Sequence, residues 1–453
     1  MNSRSCPALL IAAPASGQGK TTVTAALARL HSRQGKRVRV FKCGPDFLDP
    51  MIHAVASGAP CENLDLWMCG EADAAWRLAR AAQNADVILV EGVMGLFDGA
   101  PSAADIAHRF GLPVLAVIDA GSMAQTFGAV AHGLATYQPD LPFYGALANR
   151  VASSGHAEML AESMPPTLRW CGSVPRDEAA TLPERHLGLH QAAEIVDLMA
   201  RLDRMADHLE KTPLAALALP SAAVSPTRPA GSTLGVPSFP APTSLPTQPA
   251  HPLPLRGVTI AIARDAAFCF IYPANLESLE ALGARLAFFS PLAGEMLPAC
   301  DALWLPGGYP ELHAATLSQR SDLFTQLHQH VQSGKPLLAE CGGMMVLFDT
   351  LADKEGKTHP MARLLPGQVI MQERLTALGG QEADLPEGTL RGHTFHYSRT
   401  ETPLAPITHA RRQRPLAGKT QGEAIYRSQR LTASYVHFYF PSNPTAVAAL
   451  FLP

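Results

Sequence analysis

The chain has 453 residues, enough for two or three domains, and its 47% apolar and 17% charged residues exclude intrinsic disorder over most of the length. The net charge of −3 lacks the basic excess of proteins that bind nucleic-acid phosphates, and no apolar run reaches the roughly 18 residues of a membrane helix. Because the eight cysteines include no Cys-x-x-Cys pair, a zinc knuckle or disulfide scaffold is not expected. We therefore expect a cytoplasmic protein that binds neither nucleic acid nor membrane.

The first part of the chain, residues 1–211, alternates apolar runs with segments of helical periodicity. The predicted strands are PALLIAAP, RVRVFK, DVILVEG, LPVLAVIDA and FYGALANRV, and the predicted helices include KTTVTAALARLHSRQ and EADAAWRLARAAQNA. Strands that are apolar on both faces and alternate with helices indicate a parallel sheet covered by helices.

A proline-rich segment follows, residues 212–255. Eleven prolines lie between Pro213 and Pro254, among Ser, Thr and Ala with almost no charge, which predicts a semi-rigid linker without a core. Beyond it, residues 256–453 repeat the alternation in GVTIAIARD, ARLAFFS, DALWLPGG and KPLLAECGG, before loops and antiparallel strands after about residue 358. The sequence thus predicts two α/β domains joined by a linker.

The first chemical motif is APASGQGKTT, residues 13–22, a glycine-rich turn between a predicted strand and helix. Such a turn presents backbone N–H groups to phosphate, so Lys20 is expected to reach the β- and γ-phosphates of ATP. The Thr21 hydroxyl is expected to ligate magnesium. Pro14 stands where the full pattern has glycine, and a turn without nucleotide is the alternative. The predicted phosphate-binding residues are Gly17, Gly19, Lys20, Thr21, Thr22 and Lys42.

Carboxylates follow the second predicted strand in FKCGPDFLDP, residues 41–50, at the sheet edge where open α/β folds bind ligands. Lys42 could neutralise a phosphate or a substrate carboxylate. Asp46 is assigned to magnesium and Asp49 to the substrate. The alternative is an acidic turn that caps the next helix.

A further carboxylate, Glu91, ends the strand of DVILVEGVMGLFDG, residues 86–99. A carboxylate in this position is typical of the second magnesium-orienting residue of a P-loop enzyme. Asp98 is expected to face the same crevice and to contact the substrate. A glycine-rich loop that only turns the chain is the alternative.

The second domain carries Cys341 in KPLLAECGGMM, residues 335–345, between a predicted strand and a helix that opens with two glycines. A sharp turn of this kind exposes a nucleophile, and the helix N-terminus is expected to lower the thiol pKa. His437 offers a base, and Gly308 and Gly342 are predicted oxyanion-hole donors. The alternative is an inert core cysteine. The histidine pair in GHTFHYS, residues 392–398, is too small a ligand set for a metal site.

Taken together, these motifs resemble the cobyrinic acid a,c-diamide synthases, whose aerobic-route members act on hydrogenobyrinic acid. The resemblance covers nearly the whole chain outside the linker. It rests on APASGQGKTTVT, FKCGPDFLDP, EGVMGLFDG, PERHLGLH, ARDAAFCFIYPANLESLEALGA, PGGYPELHA, AECGGMM, GHTFHYS and SYVHFYF, in this order.

The resemblance implies an α/β fold, with an N-terminal P-loop domain similar to dethiobiotin synthetase and a C-terminal class I-like glutamine amidotransferase domain. It implies that Cys341 attacks the glutamine amide and that His437 activates it. Tyr439 stands where ordinary class I enzymes have the triad glutamate. The implied reaction is ATP-dependent amidation of the a- and c-acetate carboxylates in cobalamin biosynthesis, with Mg²⁺. ATP, L-glutamine and a corrinoid are the implied small-molecule partners, and we expect a homodimer.

Other functions stay open at this stage. The enzyme could amidate another tetrapyrrole, such as nickel-sirohydrochlorin. A P-loop regulatory ATPase with an inactive amidotransferase domain would leave Cys341 and His437 idle, whereas a glutaminase-fold binding module would not explain the phosphate loop. Both corrinoid substrates, and either order of amidation, are compatible with the sequence.

Overall fold

A computed structural model describes residues 6–185, 188–189, 191–216, 253–416 and 419–453. The chain divides into two compact units, Met1–Thr247 and Gln248–Pro453. Most of the predicted linker, residues 217–252, lies outside the described residues, as do positions 186–187 and 190 of the PERHLGLH segment. Every helix in the described part of the chain is too short or too polar to cross a bilayer.

The elements of the first unit are, in chain order, β1 (Ala8–Ala12), α1 (Lys20–Arg33), β2 (Val38–Cys43), α2 (Leu48–Ser57), β3 (Glu62–Leu64), α3 (Glu71–Asn84), β4 (Val87–Glu91), α4 (Ala103–Phe110), β5 (Val114–Asp119), α5 (Thr126–Thr136), β6 (Phe143–Val151), α6 (Ser154–Glu162), β7 (Trp170–Pro175), β8 (Glu184–Arg185), β9 (Gly188–Leu189) and α7 (Leu198–Glu210).

Seven of these strands form a parallel sheet in the order β3-β2-β4-β1-β5-β6-β7 within the described residues. Alternate residues of β1 enter opposite cores. Leu9 and Ile11 join the core that α1, α2 and α7 cover, whereas Leu10 joins the core under α3, α4 and α5. Burial on both faces explains why the central strand β1 is apolar throughout, as the sequence predicts.

Three adjacent strands end at one edge of this sheet and position the polar residues that follow them. Ile11 of β1 lies opposite Glu91 of β4, and Lys42 of β2 lies opposite Glu91 from the other side. Because the strands are parallel, the glycine-rich turn after β1 meets both side chains at the same edge.

The two ends of the proline-rich segment belong to the folded units. Pro213–Ala216 form a 3₁₀ turn whose Leu214 is fully buried in the first unit. At the other end, Leu255 is fully buried in the core of the second unit.

The elements of the second unit are β10 (Thr259–Ala263), α8 (Pro273–Ala281), β11 (Arg285–Phe289), β12 (Ala302–Leu305), α9 (Ala314–Leu317), α10 (Ser321–Gln332), β13 (Leu337–Glu340), α11 (Gly342–Met345), β14 (Thr350–Ala352), β15 (Thr358–Pro360), β16 (Gln368–Met371), β17 (Ala377–Leu385), β18 (Gly388–His396), β19 (Ser398–Glu401), β20 (Thr408–Leu416), β21 (Lys419–Ser428), β22 (Leu431–Ser434), β23 (His437–Phe438) and α12 (Pro444–Phe451).

The main sheet of this unit changes from parallel to antiparallel along its width. Its order is β11-β10-β12-β13-β22-β21-β20-β17-β18-β23 across the described strands. The pairs from β11 to β22 are parallel, and the later pairs are antiparallel. Only Tyr435 and Val436 separate β22 from β23 in the chain. His437 therefore follows shortly after the strand that pairs with β13, and β13 itself ends just before Cys341.

We predict opposite effects for two alanine substitutions in α5. A Cβ at Gly128 would overlap the backbone carbonyl of Ser163, whereas a Cβ at Gly133 meets no atom within 4 Å. Gly128→Ala should therefore destabilise the first unit by about 1–3 kcal/mol through overpacking. Gly133→Ala, the matched control, should stabilise it by about 1 kcal/mol through helix propensity. Denaturant unfolding measures both, and equal effects would contradict the close approach at Gly128.

Candidate active site

The glycine-rich turn after β1 owes its shape to two residues in the left-handed region. Gly17 and Gly19 have φ values of 76° and 93°. At Gly19 a side chain would also overlap Asn149, whose amide donates to the backbone oxygen of Gln18 at 2.9 Å. The turn is therefore held from β6, and it accepts only glycine at its contact point.

Lys20 begins α1 and folds back over the turn. Its Nζ donates to the backbone oxygens of Ala15, at 3.0 Å, and Met94, at 2.6 Å. Burial lowers the pKa of Lys20, and the charge of Glu91 opposes this shift. The ammonium thus joins the turn after β1 to the loop after β4. Thr22 follows it in the first turn of α1 and is half-buried.

Glu91 is fully buried and is the centre of the polar cluster at this sheet edge. Its Oε1 accepts from the Thr21 hydroxyl at 2.7 Å and lies 3.0 Å from Nζ of Lys42. Its Oε2 lies 2.5 Å from Nε2 of His53. Burial alone would raise the pKa of Glu91, but Lys42, His53 and Thr21 lower it to about 2. The cluster therefore holds an ionised carboxylate.

The remaining predicted carboxylates of this unit lie at different depths. Asp49 is buried, and its Oδ2 is 2.6 Å from Nζ of Lys42. Asp46 is half-buried, and its Oδ1 accepts from the Leu48 N–H at 2.8 Å, so it caps the start of α2. Asp98 is exposed and accepts from the Gly95 N–H at 2.8 Å. The structure brings Asp49 into the cluster with Glu91, while Asp46 and Asp98 make local loop contacts.

In the second unit, Cys341 sits between β13 and α11 with φ of 45° and ψ of −109°. Few non-glycine residues adopt such a backbone conformation, and it is typical of a nucleophile at a tight strand-to-helix turn. The Cys341 N–H donates to the backbone oxygen of Ser434 at 2.7 Å, which ties this turn to β22.

His437 lies beside Cys341, across Gly307. A Cβ added to Gly307 would overlap the His437 ring and would lie 3.3 Å from Cβ of Cys341. The predicted donors are close too, because a Cβ on Gly342 would lie 3.0 Å from the nitrogen of Gly308. The structure therefore groups the four residues that the sequence assigned to one centre.

The expectation for the thiol pKa is wrong in direction. Cys341 is 4% exposed, and burial raises the pKa of its thiol, with the charge of Glu311 adding to the effect of burial. The Gly342 N–H opposes this shift, but α11 has only four residues and supplies little dipole. Burial, with the nearby His393 and His396, also lowers the pKa of His437 to about 3. Burial thus favours the neutral thiol and the neutral imidazole.

The GHTFHYS segment reaches this centre in an unexpected way. His393 of β18 pairs directly opposite His437 of β23, so the two side chains lie on the same face of the sheet. His396 instead contacts Glu423 at 3.3 Å and the backbone oxygen of Ser398 at 2.9 Å. No group of three His, Cys, Asp or Glu suited to a metal ion occurs in the described part of the chain.

Three residues in contact with these sites were not predicted from the sequence: His53 contacts Glu91, Glu340 accepts from the Phe438 N–H next to His437, and Asn275 donates to the Phe438 oxygen. His53 lies four residues after Asp49, which places both on one face of α2, and this spacing was an available signal. Glu340 ends an apolar strand just before Cys341, the same pattern that identified Glu91. Asn275 carried no such signal, since its partners are backbone groups more than 160 residues away.

Both units match known families. Residues 9–189 match the CobQ/CobB/MinD/ParA nucleotide binding domain, and residues 259–445 match the CobB/CobQ-like glutamine amidotransferase domain. The chain is 59% identical to the hydrogenobyrinate a,c-diamide synthase of Stutzerimonas stutzeri over the whole of both chains. It is 57% identical to the protein of that name from Pseudomonas aeruginosa, covering 100% of this chain and 99% of that one.

A third relative is the cobyrinate a,c-diamide synthase of Herminiimonas arsenicoxydans, which is 49% identical over 98% of this chain and 96% of its own. Each of these alignments extends over both units. The chain belongs to the cobyrinate and hydrogenobyrinate a,c-diamide synthase family.

Proposed function

We propose that this protein amidates the a- and c-acetate carboxylates of cobyrinate or hydrogenobyrinate, with glutamine as the nitrogen donor and ATP as the energy source. The observation that carries the proposal is the pairing of two centres in one chain. A glycine-rich turn beside the ionised Glu91 suits phosphoryl transfer, and Cys341 beside His437 suits glutamine hydrolysis. Relatives with these names along the full length supply the substrate class.

In the glutaminase half, His437 takes the thiol proton as Sγ of Cys341 attacks the side-chain carbonyl of glutamine. The N–H groups of Gly308 and Gly342 receive the developing oxyanion. The C–N bond breaks, ammonia leaves with the proton from His437, and a thioester remains. Water then adds to the thioester, releases glutamate and returns the proton to the thiol.

In the synthetase half, an oxygen of the acetate carboxylate attacks the γ-phosphorus of ATP, and ADP leaves. Ammonia then attacks the carbonyl carbon of the acyl phosphate, and phosphate leaves with the former carboxylate oxygen. Lys20, freed from the Ala15 and Met94 carbonyls, neutralises the charge on the transferring phosphoryl group. Lys42 and Asp49 face the same edge and orient the substrate carboxylate in this proposal.

The residues at this edge fit a magnesium ion. The Thr21 hydroxyl and the ionised Glu91 carboxylate are 2.7 Å apart, and both offer the hard oxygen atoms that Mg²⁺ prefers. We propose that these two hold it, with Asp46 nearby on the loop after β2. Magnesium bound there would neutralise part of the negative charge on the phosphate oxygens.

Two further proposals concern the setting of the enzyme. We place it in the cytoplasm, where ATP and glutamine are supplied, and we propose a homodimer. Light scattering of the purified chain tests the dimer, and a monomeric mass at working concentration would reject it.

Replacing the nucleophile should separate the two nitrogen sources. Cys341→Ala should abolish glutamine hydrolysis and glutamine-dependent amidation. It should retain amidation with high ammonium, because free ammonia can then serve the first unit as the nitrogen source in place of glutamine. The assay offers both corrinoids with ATP and magnesium. Cys300→Ala is the matched control, since Cys300 is also buried in this unit but lies outside the proposed site. Wild-type glutaminase activity in the Cys341 variant would reject the nucleophile.

Replacing the phosphate-binding lysine should fail with both nitrogen sources. Lys20→Ala removes the positive charge that is proposed to neutralise the transferring phosphoryl group. Loss of such a contact typically lowers the rate by about 10²- to 10³-fold. Glu91→Gln should act similarly and shift the magnesium dependence to higher concentrations. Retained glutaminase activity in both variants would show that the second unit is intact. An unchanged magnesium dependence in Glu91→Gln would remove Glu91 from the metal site.

The lowered pKa of His437 predicts the pH profile of glutamine hydrolysis. A ring with a pKa of about 3 is the neutral base at all pH values above that, and it is lost only as the pH falls through 3. Because kcat/KM reports the free enzyme, its value should stay flat between about pH 5 and 8. An acid limb centred near the ordinary histidine pKa would show that the His437 ring is not shifted in this way.

A further inference from the structure

The strand that carries His437 has two residues and, among the strands that the structure describes, pairs on one side only. β23 contains His437 and Phe438, and it pairs with β18 through His393 and Gly392. The Tyr439 N–H continues this pairing by donating to the Arg391 oxygen at 2.8 Å. Since successive residues of a strand point their backbone groups to opposite edges, both backbone groups of Phe438 point away from β18.

Two buried side chains occupy that second edge. Oε1 of Glu340 accepts from the Phe438 N–H at 2.9 Å. Nδ2 of Asn275 donates to the Phe438 oxygen at 2.8 Å, while its Oδ1 accepts from the Phe440 N–H at 2.8 Å. Glu340 and Asn275 are each 1% exposed. Three backbone groups that would otherwise be buried without partners are therefore satisfied by side chains in place of a strand.

The Glu340 contact also joins the two halves of the reactive pair. Glu340 directly precedes Cys341 in the chain, and Phe438 directly follows His437. The other carboxylate oxygen, Oε2, accepts from Nε1 of Trp304 at 3.1 Å, so the carboxylate is fixed between β12 and β13. Burial raises the pKa of Glu340 to about 8, so this contact counts as a buried hydrogen bond and not as an ion pair. Moving the His437 segment away from Cys341 would require breaking that hydrogen bond.

We propose that Glu340 and Asn275 are positioning residues that hold His437 at Cys341. They do so through the backbone of residues 438 and 440 rather than through the imidazole. Tyr439, which replaces the triad glutamate, is fully buried and packs on Tyr272 at a ring distance of 5.8 Å. The inference rests on the proposed glutaminase activity and adds two residues to it.

The test uses substitutions that preserve shape. Glu340→Gln replaces one of the two oxygens that accept from Phe438 and Trp304 with an NH₂ group, which cannot accept. Asn275→Asp replaces the NH₂ group that donates to the Phe438 oxygen with a second oxygen. Because small displacements of a reacting group cost about 10²-fold in rate, kcat for glutamine hydrolysis should fall by 10- to 100-fold, with KM changed less than about twofold. Ammonium-dependent amidation should be unaffected. Asp349→Asn is the matched control, because this carboxylate also accepts from a backbone N–H, that of Gly367 at 2.7 Å, away from β23.

A second measurement separates positioning from general loosening of the fold. Iodoacetamide alkylation of Cys341 should be slower in Glu340→Gln than in the wild type, because His437 no longer takes the thiol proton effectively. In a His437→Ala background the same substitution should change the alkylation rate less than twofold, since no base remains to be positioned. An equal slowing in both backgrounds, or loss of kcat in Asp349→Asn as well, would overturn the proposal.

Wild-type kcat in both folded variants would also overturn it. Failure of the proposed function looks different: the wild type would then not hydrolyse glutamine at all. In that case the alkylation rates would still report whether Glu340 acts on Cys341 through His437.

Discussion

The buried negative charge of Glu91 is the constraint on which the first unit depends. Removing an ionised carboxylate from water costs several kcal/mol unless donors surround it closely. Its donors come from separate elements, namely Thr21 on α1, Lys42 on β2 and His53 on α2. Each of these elements must therefore approach the end of β4 to within hydrogen-bond distance. The same arrangement brings the glycine-rich turn after β1, Lys42 and Asp49 to one edge of the sheet. The need to compensate the charge of Glu91 therefore also determines the geometry of the candidate site.

In the second unit, close backbone contacts rather than paired charges bring the candidate site residues together. Gly307 leaves room for His437 beside Cys341, and Gly343 lies so close to Leu305 that a Cβ would overlap its carbonyl. Side chains are excluded at these points because the strand ends and the turn of the nucleophile share very little space. Glycine backbone thus lets the site residues of the second unit approach each other, whereas ion pairs hold those of the first unit together.

The parallel strands and the motifs that follow them could be predicted from the sequence, because both signals are local. The runs that lead to Lys42, Glu91 and Cys341 are short and mostly apolar, and a glycine follows each of these residues within two positions. The long strands β17 and β18 could not be placed individually, since their residues vary between buried and exposed and include many polar side chains. The carboxylate of Glu340 and the amide of Asn275 act on backbone that is distant in the chain. Likewise, the direction of the thiol pKa depends on burial, which a motif does not reveal.

Burial of Cys341 has a consequence for the survival of the enzyme as well as for its chemistry. Peroxides and other oxidants react with the thiolate, and they need access to sulfur. Cys341 is 4% exposed, and burial raises the pKa of its thiol, so both access and the thiolate fraction are low. The Cys341 thiol should therefore form sulfenic acid more slowly than an exposed cysteine of ordinary pKa would.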